Sequence, residues 1–444
     1  MRSICRPSLL LALLLLCFLS LNTVGASSFA SIFRFRHFGR HSKPTSRRLY
    51  HSNPNPDPDL DDLEDSITTE EIDQVLNELI ASDGGLVLNP YVPSRRWLYQ
   101  QWSDSVLAQS VPRAAWNMWG TAFLCVLLRL ILYGELDFAQ MPGAMKTSPP
   151  LYMPVLLEIC QCVNVIWKSM STLTTFLLLF FVSQSFSFWR SIHEVARGIQ
   201  GHIDDLHLLL VTHVSRRRGP GSYSVDAELF LQDLTSKLRA YHICVWATHA
   251  RRFRILLTDK GISRMVAKGI LTINEKEALD RQLGVPRDQK HYILLEWILF
   301  NCKEARRRRI VDGGGGMEQA ILSKFCALRD CSAQMKAKIS TRMPLPYIHL
   351  VQILLDLFLT MAPLAQFSEL GIFTVLSSGV LTLFYSALFS LATIFLDPFD
   401  NEGDFRDGYA LMDLAVLVRE SNLSSNLLLK AASILKWRDT ARRR

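Results

Sequence analysis

Four stretches of the chain are apolar almost throughout: Ala114 to Tyr133, Ser171 to Trp189, Met343 to Phe367 and Gly371 to Leu396. At the rise of an α-helix, about 20 apolar residues cross the hydrocarbon core of a bilayer, so each stretch predicts a membrane-spanning helix. The first carries Trp116 and Trp119 near its start and Tyr133 at its end, where interfacial anchors belong. Arg129 inside it would cost about 2.5–3.5 kcal/mol at the bilayer centre, which predicts a place near an interface or a partner such as Glu135 or Glu158. The second closes a longer helical stretch from Val155, long enough to project beyond the bilayer. Met141 to Pro154, with its Pro and Gly, predicts a connecting loop.

From Arg190 to Arg342 the pattern changes to a more polar one with helical period and no spanning run. It predicts several amphipathic helices joined by turns, broken at Pro220-Gly221-Ser222 and at the flexible run Gly313 to Gly316. Thr272 and Glu275 have the spacing of a capping box. The fold class is therefore an all-α integral membrane protein, with four transmembrane helices and a helical soluble region.

The N-terminal residues read as an address. Residues 1–26 have a basic start (Arg2, Arg6), an apolar core and small residues at Val24-Gly25-Ala26, as a signal peptide does. Residues 27–52 lack acidic side chains and are rich in Arg, Ser, His and Phe, a transit-peptide composition. The junction Ala26-Ser27-Ser28-Phe29 looks like the cleavage motif of algae with complex plastids. Residues 53–95 are acidic and Pro-rich at the start, which predicts a disordered linker holding a short helix over Thr69 to Leu79, capped by Thr68 or Thr69. Residues 96–422 form the main domain, and 423–444 a basic helical tail. Asn422-Leu423-Ser424 fits a glycosylation acceptor.

Composition supports the membrane class: hydrophobic residues make up 49% and the mean hydropathy is +0.15. The net charge of +8 comes in clusters, among them Arg216 to Arg218, Arg251 to Arg254 and Arg306 to Arg309, not in one nucleic-acid-binding run. No nucleic-acid partner is expected. Around a pore such clusters would concentrate anions. The nine cysteines form no CxxC pair and read as reduced thiols.

Candidate chemistry is sparse. Thr172, Phe176 and Phe180 fall four apart and share one helical face, although phenylalanines in a membrane helix face lipid or a neighbour by default. His193, His202, His207 and His213, with Glu194, Asp204 and Asp205 among them, raise a membrane metal enzyme as an alternative, but metal sites of that kind need denser ligand pairs. These histidines would instead lend sensitivity to pH near neutrality. Walker, dinucleotide-binding and nucleophile-elbow motifs are missing, so the chain does not read as an enzyme.

Several strings occur in an order that resembles the bestrophin family of anion channels. In that family the second membrane helix carries two phenylalanines four apart and ends in an aromatic pair; Phe176, Phe180 and Trp189 match these positions. Thr172 stands where the family usually has an apolar residue, and Leu173 where a proline is common. Leu132-Tyr133-Gly134-Glu135, Arg264 to Gln282 (RMVAKGILTINEKEALDRQ), Leu328-Arg329, Met343 to Tyr347 (MPLPY) and Leu396-Asp397-Pro398-Phe399 with the acidic run after it match further family patterns. The resemblance covers roughly Trp116 to Asn422 and suggests a bestrophin-like protein of an alga with a complex plastid.

The resemblance implies a homopentamer with one central pore, passing chloride, bicarbonate or both, passively. It implies a neck at Thr172, Phe176 and Phe180, and a second constriction at Met317 and Ile321, found by counting back from Pro344. It also implies calcium held at Asn401, Glu402 and Asp404. With the N-terminal address, the membrane would be the thylakoid; another plastid membrane, the endoplasmic reticulum or the plasma membrane are the alternatives. A non-conducting membrane scaffold is the remaining rival function.

Overall fold

The structure of the protein, a computed structural model, describes residues 68–81, 105–133, 153–216, 223–282, 285–399, 401 and 412–434. The signal and transit segments, most of the acidic segment, the breaks at 134–152 and 217–222, and Glu402 and Asp404 lie outside these residues. The described residues form helices, with only two isolated bridges, Val214 with Val311 and Arg216 with Tyr223. In chain order the helices are α1 (Thr69–Ile80), α2 (Val106–Tyr133), α3 (Met153–His213) and α4 (Val225–His249). After a 3-10 helix (Arg251–Leu257) come α5 (Asp259–Ala267), α6 (Ile273–Glu277), α7 (Lys290–Arg307) and α8 (Gly315–Ser340). The last three are α9 (Leu345–Leu370), α10 (Thr374–Leu396) and α11 (Leu414–Ile434). They fall into two compact units.

The first unit holds α2, α3 as far as Ser187, α9 and α10. Two helical runs among the described residues are long and apolar enough to cross a membrane, Glu158–His213 and Leu345–Leu396, the second comprising α9 and α10. Between those two helices Gly371 takes φ 55°, a left-handed value that favours glycine. Helices α2 and α10 lie along each other through small and polar residues. Ser378 donates to Thr121 at 3.0 Å, Asn117 donates to Thr382, and all four side chains are buried. A Cβ at Gly379 would collide with Met118 Cγ and Sδ. Burial between apolar surfaces gives no drive within lipid, so close backbone approach and interhelical hydrogen bonds must hold such a pair.

The second unit holds α1, α3 from Phe188, α4 to α8, and α11. Its centre is the second half of α4, where Leu238 and Ala240 to Ala247 are all buried, Trp246 and Tyr241 completely. The sequence pattern predicts amphipathic helices here. Helix α4 departs from that because the 3-10 helix, α7 and α11 all pack on it, and a helix covered all round is apolar all round. Thr272 and Glu275 form the expected capping box, with Thr272 N–H donating to Glu275 at 2.8 Å and Glu275 N–H to Thr272 at 3.3 Å. Glu275 also pairs with the buried Lys237 at 3.1 Å.

Three expectations are corrected, and a fourth is extended. The short helix expected over Thr69 to Leu79 is present as α1, runs to Ile80, is capped by a Thr68–Glu71 box, and is docked rather than part of a linker, burying Ile72, Leu76 and Leu79 in the core of the second unit. Its spacing of Ile72, Leu76 and Leu79 makes one apolar face, which outweighs the acidic composition around it. The glycine run is not a loop throughout, because Gly315 and Gly316 open α8, and residues 310–312 are pinned by Ser215 N–H to the Ile310 carbonyl and Asp312 N–H to the His213 carbonyl, both 2.8 Å. The boundary at 422/423 cuts through α11. Asn422 is buried, and its amide donates to the carbonyl of Leu79 at 3.0 Å, so it is not exposed for glycosylation.

Candidate pore-lining face

No proline interrupts 155–213, so α3 continues unbroken through the expected second span and beyond it. Its 61 residues span about 90 Å at helical rise. Within the first unit, one side of α3 is packed and the other is open. Leu178 and Phe181 are buried, Phe181 beside Phe389 at 5.6 Å and Tyr347 at 6.2 Å between ring centroids. Trp167 stacks on Phe358 at 5.0 Å and donates to the Phe358 carbonyl at 3.0 Å. Thr175 and Tyr385 share a hydrogen bond of 2.7 Å. These contacts fix the rotation of α3 about its own axis.

That rotation leaves Thr172, Phe176 and Phe180 on the open side. Phe176 is 65% and Phe180 45% exposed, Phe180 with its ring edge-on to Tyr347 at 6.3 Å. The open stripe is not uniformly apolar. Lys168, Ser169 and Thr172 precede the two phenylalanines, and Ser183, Gln184 and Ser187 follow them, all exposed. Sequence reasoning took the phenylalanines and left out this polar flank, although the same count of four from Thr172 reaches Lys168.

The other expected site residues sit elsewhere. Ile321 is 8% exposed, inside the core of the second unit, and Met317 is half-buried against Gly313. Within one chain Ile321 therefore packs inward from α8. Asn401 is held by its neighbours: its Oδ1 accepts from Arg251 N–H at 2.7 Å, its Nδ2 donates to the His249 carbonyl at 2.9 Å, and its own N–H donates to Asp397 at 3.0 Å. These three hydrogen bonds fix the orientation of the Asn401 side chain. Phe399, from the Asp-Pro-Phe string, is buried beside Trp246, with ring centroids 6.2 Å apart.

The four histidines of α3 are not gathered into a metal site. Among the described residues no three His, Cys, Asp or Glu side chains are grouped to hold a metal ion. His207 is buried between the Ile203 carbonyl and Ser425, each 3.2 Å away, and burial pushes its pKa down to about 4, with Arg239 adding to the shift. His193 is also lowered, by burial and then by Arg197, and its ring stacks on Trp189. His202 lies 3.8 Å from Asp205, and His213 faces the Leu209 carbonyl at 2.9 Å. Of the described cysteines all are free; Cys125, Cys160, Cys244 and Cys302 are buried, while Cys162 and Cys326 are exposed.

No family profile and no curated protein matches the sequence. Solved structures do match. Two crystal structures of a membrane protein, a leucine-to-alanine and a proline-to-alanine variant, superpose with TM-scores of 0.53 and 0.52 at 13% and 14% identity. Each match covers 71% of this chain, and 97% and 98% of the other. A tryptophan-to-alanine variant of a bacterial bestrophin homologue from Klebsiella pneumoniae gives a TM-score of 0.52 at 15% identity, over 73% of this chain and 98% of that one. The chain has a bestrophin-like fold. At such identities the likeness is one of architecture, so the roles of individual residues rest on the local geometry of α3. The bestrophin-like fold and the two apolar helical runs together support a membrane location.

Proposed function

We propose that this chain is the subunit of a passive anion channel. Five copies would stand around one axis, each contributing four membrane helices, with the open stripe of α3 turned inward. The observation that carries the reading is that exposed polar residues, Thr172, Ser183, Gln184 and Ser187, share that stripe with the exposed apolar Phe176, Leu179, Phe180 and Phe186. A lipid-facing stripe would be apolar throughout, because a polar side chain without a partner in hydrocarbon is costly. Lys168, Thr172, Ser183, Gln184 and Ser187 are better explained by water, and Phe176 and Phe180 by a short dry neck within it. An apolar neck controls passage by wetting and drying, and the electropositive edges of aromatic rings tolerate anions better than cations.

Chloride and bicarbonate are the proposed permeants, and the address read in residues 1–52 supports a thylakoid membrane. Any calcium response would depend on Asn401, Glu402 and Asp404. The test is purified protein in planar bilayers under asymmetric chloride and bicarbonate. The channel reading expects currents that reverse near the anion equilibrium potentials. No anion current in any condition would leave the scaffold as the surviving function.

A further inference from the structure

Residues Asn164, Lys168, Thr172, Phe176 and Phe180 follow one another at intervals of four along α3. Lys168 therefore stands one turn before Thr172, about 6 Å along the helix, and about 12 Å before Phe176. Its side chain is 56% exposed, on the open side that carries the phenylalanines. It is not solvated alone. Its Nζ lies 2.6 Å from Glu369 Oε1, and Asn164 Nδ2 donates to the same oxygen at 2.7 Å. Asn164 is buried, so it is a fixed clamp, whereas Glu369 remains half exposed.

Glu369 is also oddly placed for its own helix. It sits in the last turn of α9, where unpaired carbonyls make a negative side chain unfavourable. Helix stability does not account for it, and the clamp on Lys168 does. Around the proposed axis, a lysine on this stripe would recur in every copy, forming a ring of Lys168–Glu369 ion pairs before the neck. Glu369 would hold each ammonium in place and cancel its net charge at long range, leaving the short-range field of the pair.

We propose that Lys168 is the charge-selecting residue of the anion pathway, and that Glu369, fixed by Asn164, tunes its strength. This inference rests on the channel reading and adds to it a determinant for small monovalent anions outside the neck. The lysine acts on ions approaching through water, so its effect depends on ionic strength. It is large where the screening length is about 10 Å, near 0.1 M salt, and small near 1 M, where that length is about 3 Å.

The test uses full-length protein in planar bilayers with a potassium chloride gradient, reading reversal potential and unitary conductance. Lys168→Glu should lower anion conductance roughly two- to tenfold at 0.1 M and move the reversal potential toward that of potassium. Glu369→Gln should raise anion conductance, and both effects should shrink at 1 M. Phe176→Ala separates the two levels of the argument. If it alters conductance while both charge variants match wild type, the neck stands and the role of Lys168 is overturned. If none of the three changes conductance, the open stripe of α3 is not the pore face, and this inference falls with it, whereas the channel reading fails only if wild type carries no anion current. Should the charge variants not assemble, Lys168→Cys is labelled after reconstitution with positively or negatively charged thiosulfonates, with treated wild type as control. Opposite changes in conductance with the two labels support the assignment; equal changes overturn it.

Discussion

Helix α1 lies in a segment whose composition predicts a linker, so its docking is the sharpest test of the second unit. Ile72, Leu76 and Leu79 are each 0% exposed. Arg264 holds Asp73 through two hydrogen bonds, one of them 3.0 Å, and Arg252 holds Glu78 at 2.7 Å. These ion pairs are part-exposed and contribute little beside the buried face. Leu76→Ala removes side-chain atoms from a closed interior, at a cost of about 2–5 kcal/mol depending on how far the site collapses. For local opening of α1 from the core, that cost should appear as amide exchange about 30-fold to several thousand-fold faster over Thr69–Ile80. Hydrogen exchange read by mass spectrometry checks it, with the exposed Glu70→Ala as control. Unprotected amides in wild-type α1, or equal exchange in the two variants, would refute the docking.

Three further outcomes are expected. Gly379→Ala should weaken the packing of α2 on α10 by about 1–3 kcal/mol, and Met118→Ala in the same chain should restore much of it; thermal unfolding of the solubilised protein shows whether the pair is coupled. His207, held neutral down to about pH 4, contributes stability that is complete above its ordinary pKa of 6.5 and is lost as pH falls below it, because only the unfolded chain then takes up the proton. From those two values the loss at pH 5 is about 2 kcal/mol; buried His242 (about 3), His249 (about 4) and His291 (about 3) add in the same direction, and Asp204, raised to about 6 mainly by burial, opposes them. His207→Gln should flatten the fall in stability between pH 7.5 and pH 5, and an unchanged profile would count against the buried neutral imidazole. Asp404→Ala should abolish any calcium response of the current, and a wild-type response in the variant would exclude that carboxylate.

What the sequence made legible, and what it did not, has physical causes. Continuous apolar runs marked α9, α10 and the membrane part of α3, because hydropathy over about 20 residues is a strong signal. The continuation of α3 to His213 was hidden: after Trp189 the chain turns polar, and a change of solvent along one helix looks like a change of element. Helix α1 and its cap were legible, but its docking was not, since three leucine and isoleucine side chains on one face are outnumbered by the polar and acidic residues beside them. The aromatic pair was legible by spacing. Lys168 was not, because only Glu369, far along the chain, shows that this lysine is held in place.

The account turns on where the open stripe of α3 points once copies of the chain have assembled. A cryo-electron microscopy reconstruction of the full-length protein in lipid nanodiscs measures this directly. It should show five subunits around a central opening, with Phe176 and Phe180 of every copy converging on the axis and Lys168 above them. Phenylalanines turned outward into lipid, or a particle with no central opening, would contradict it.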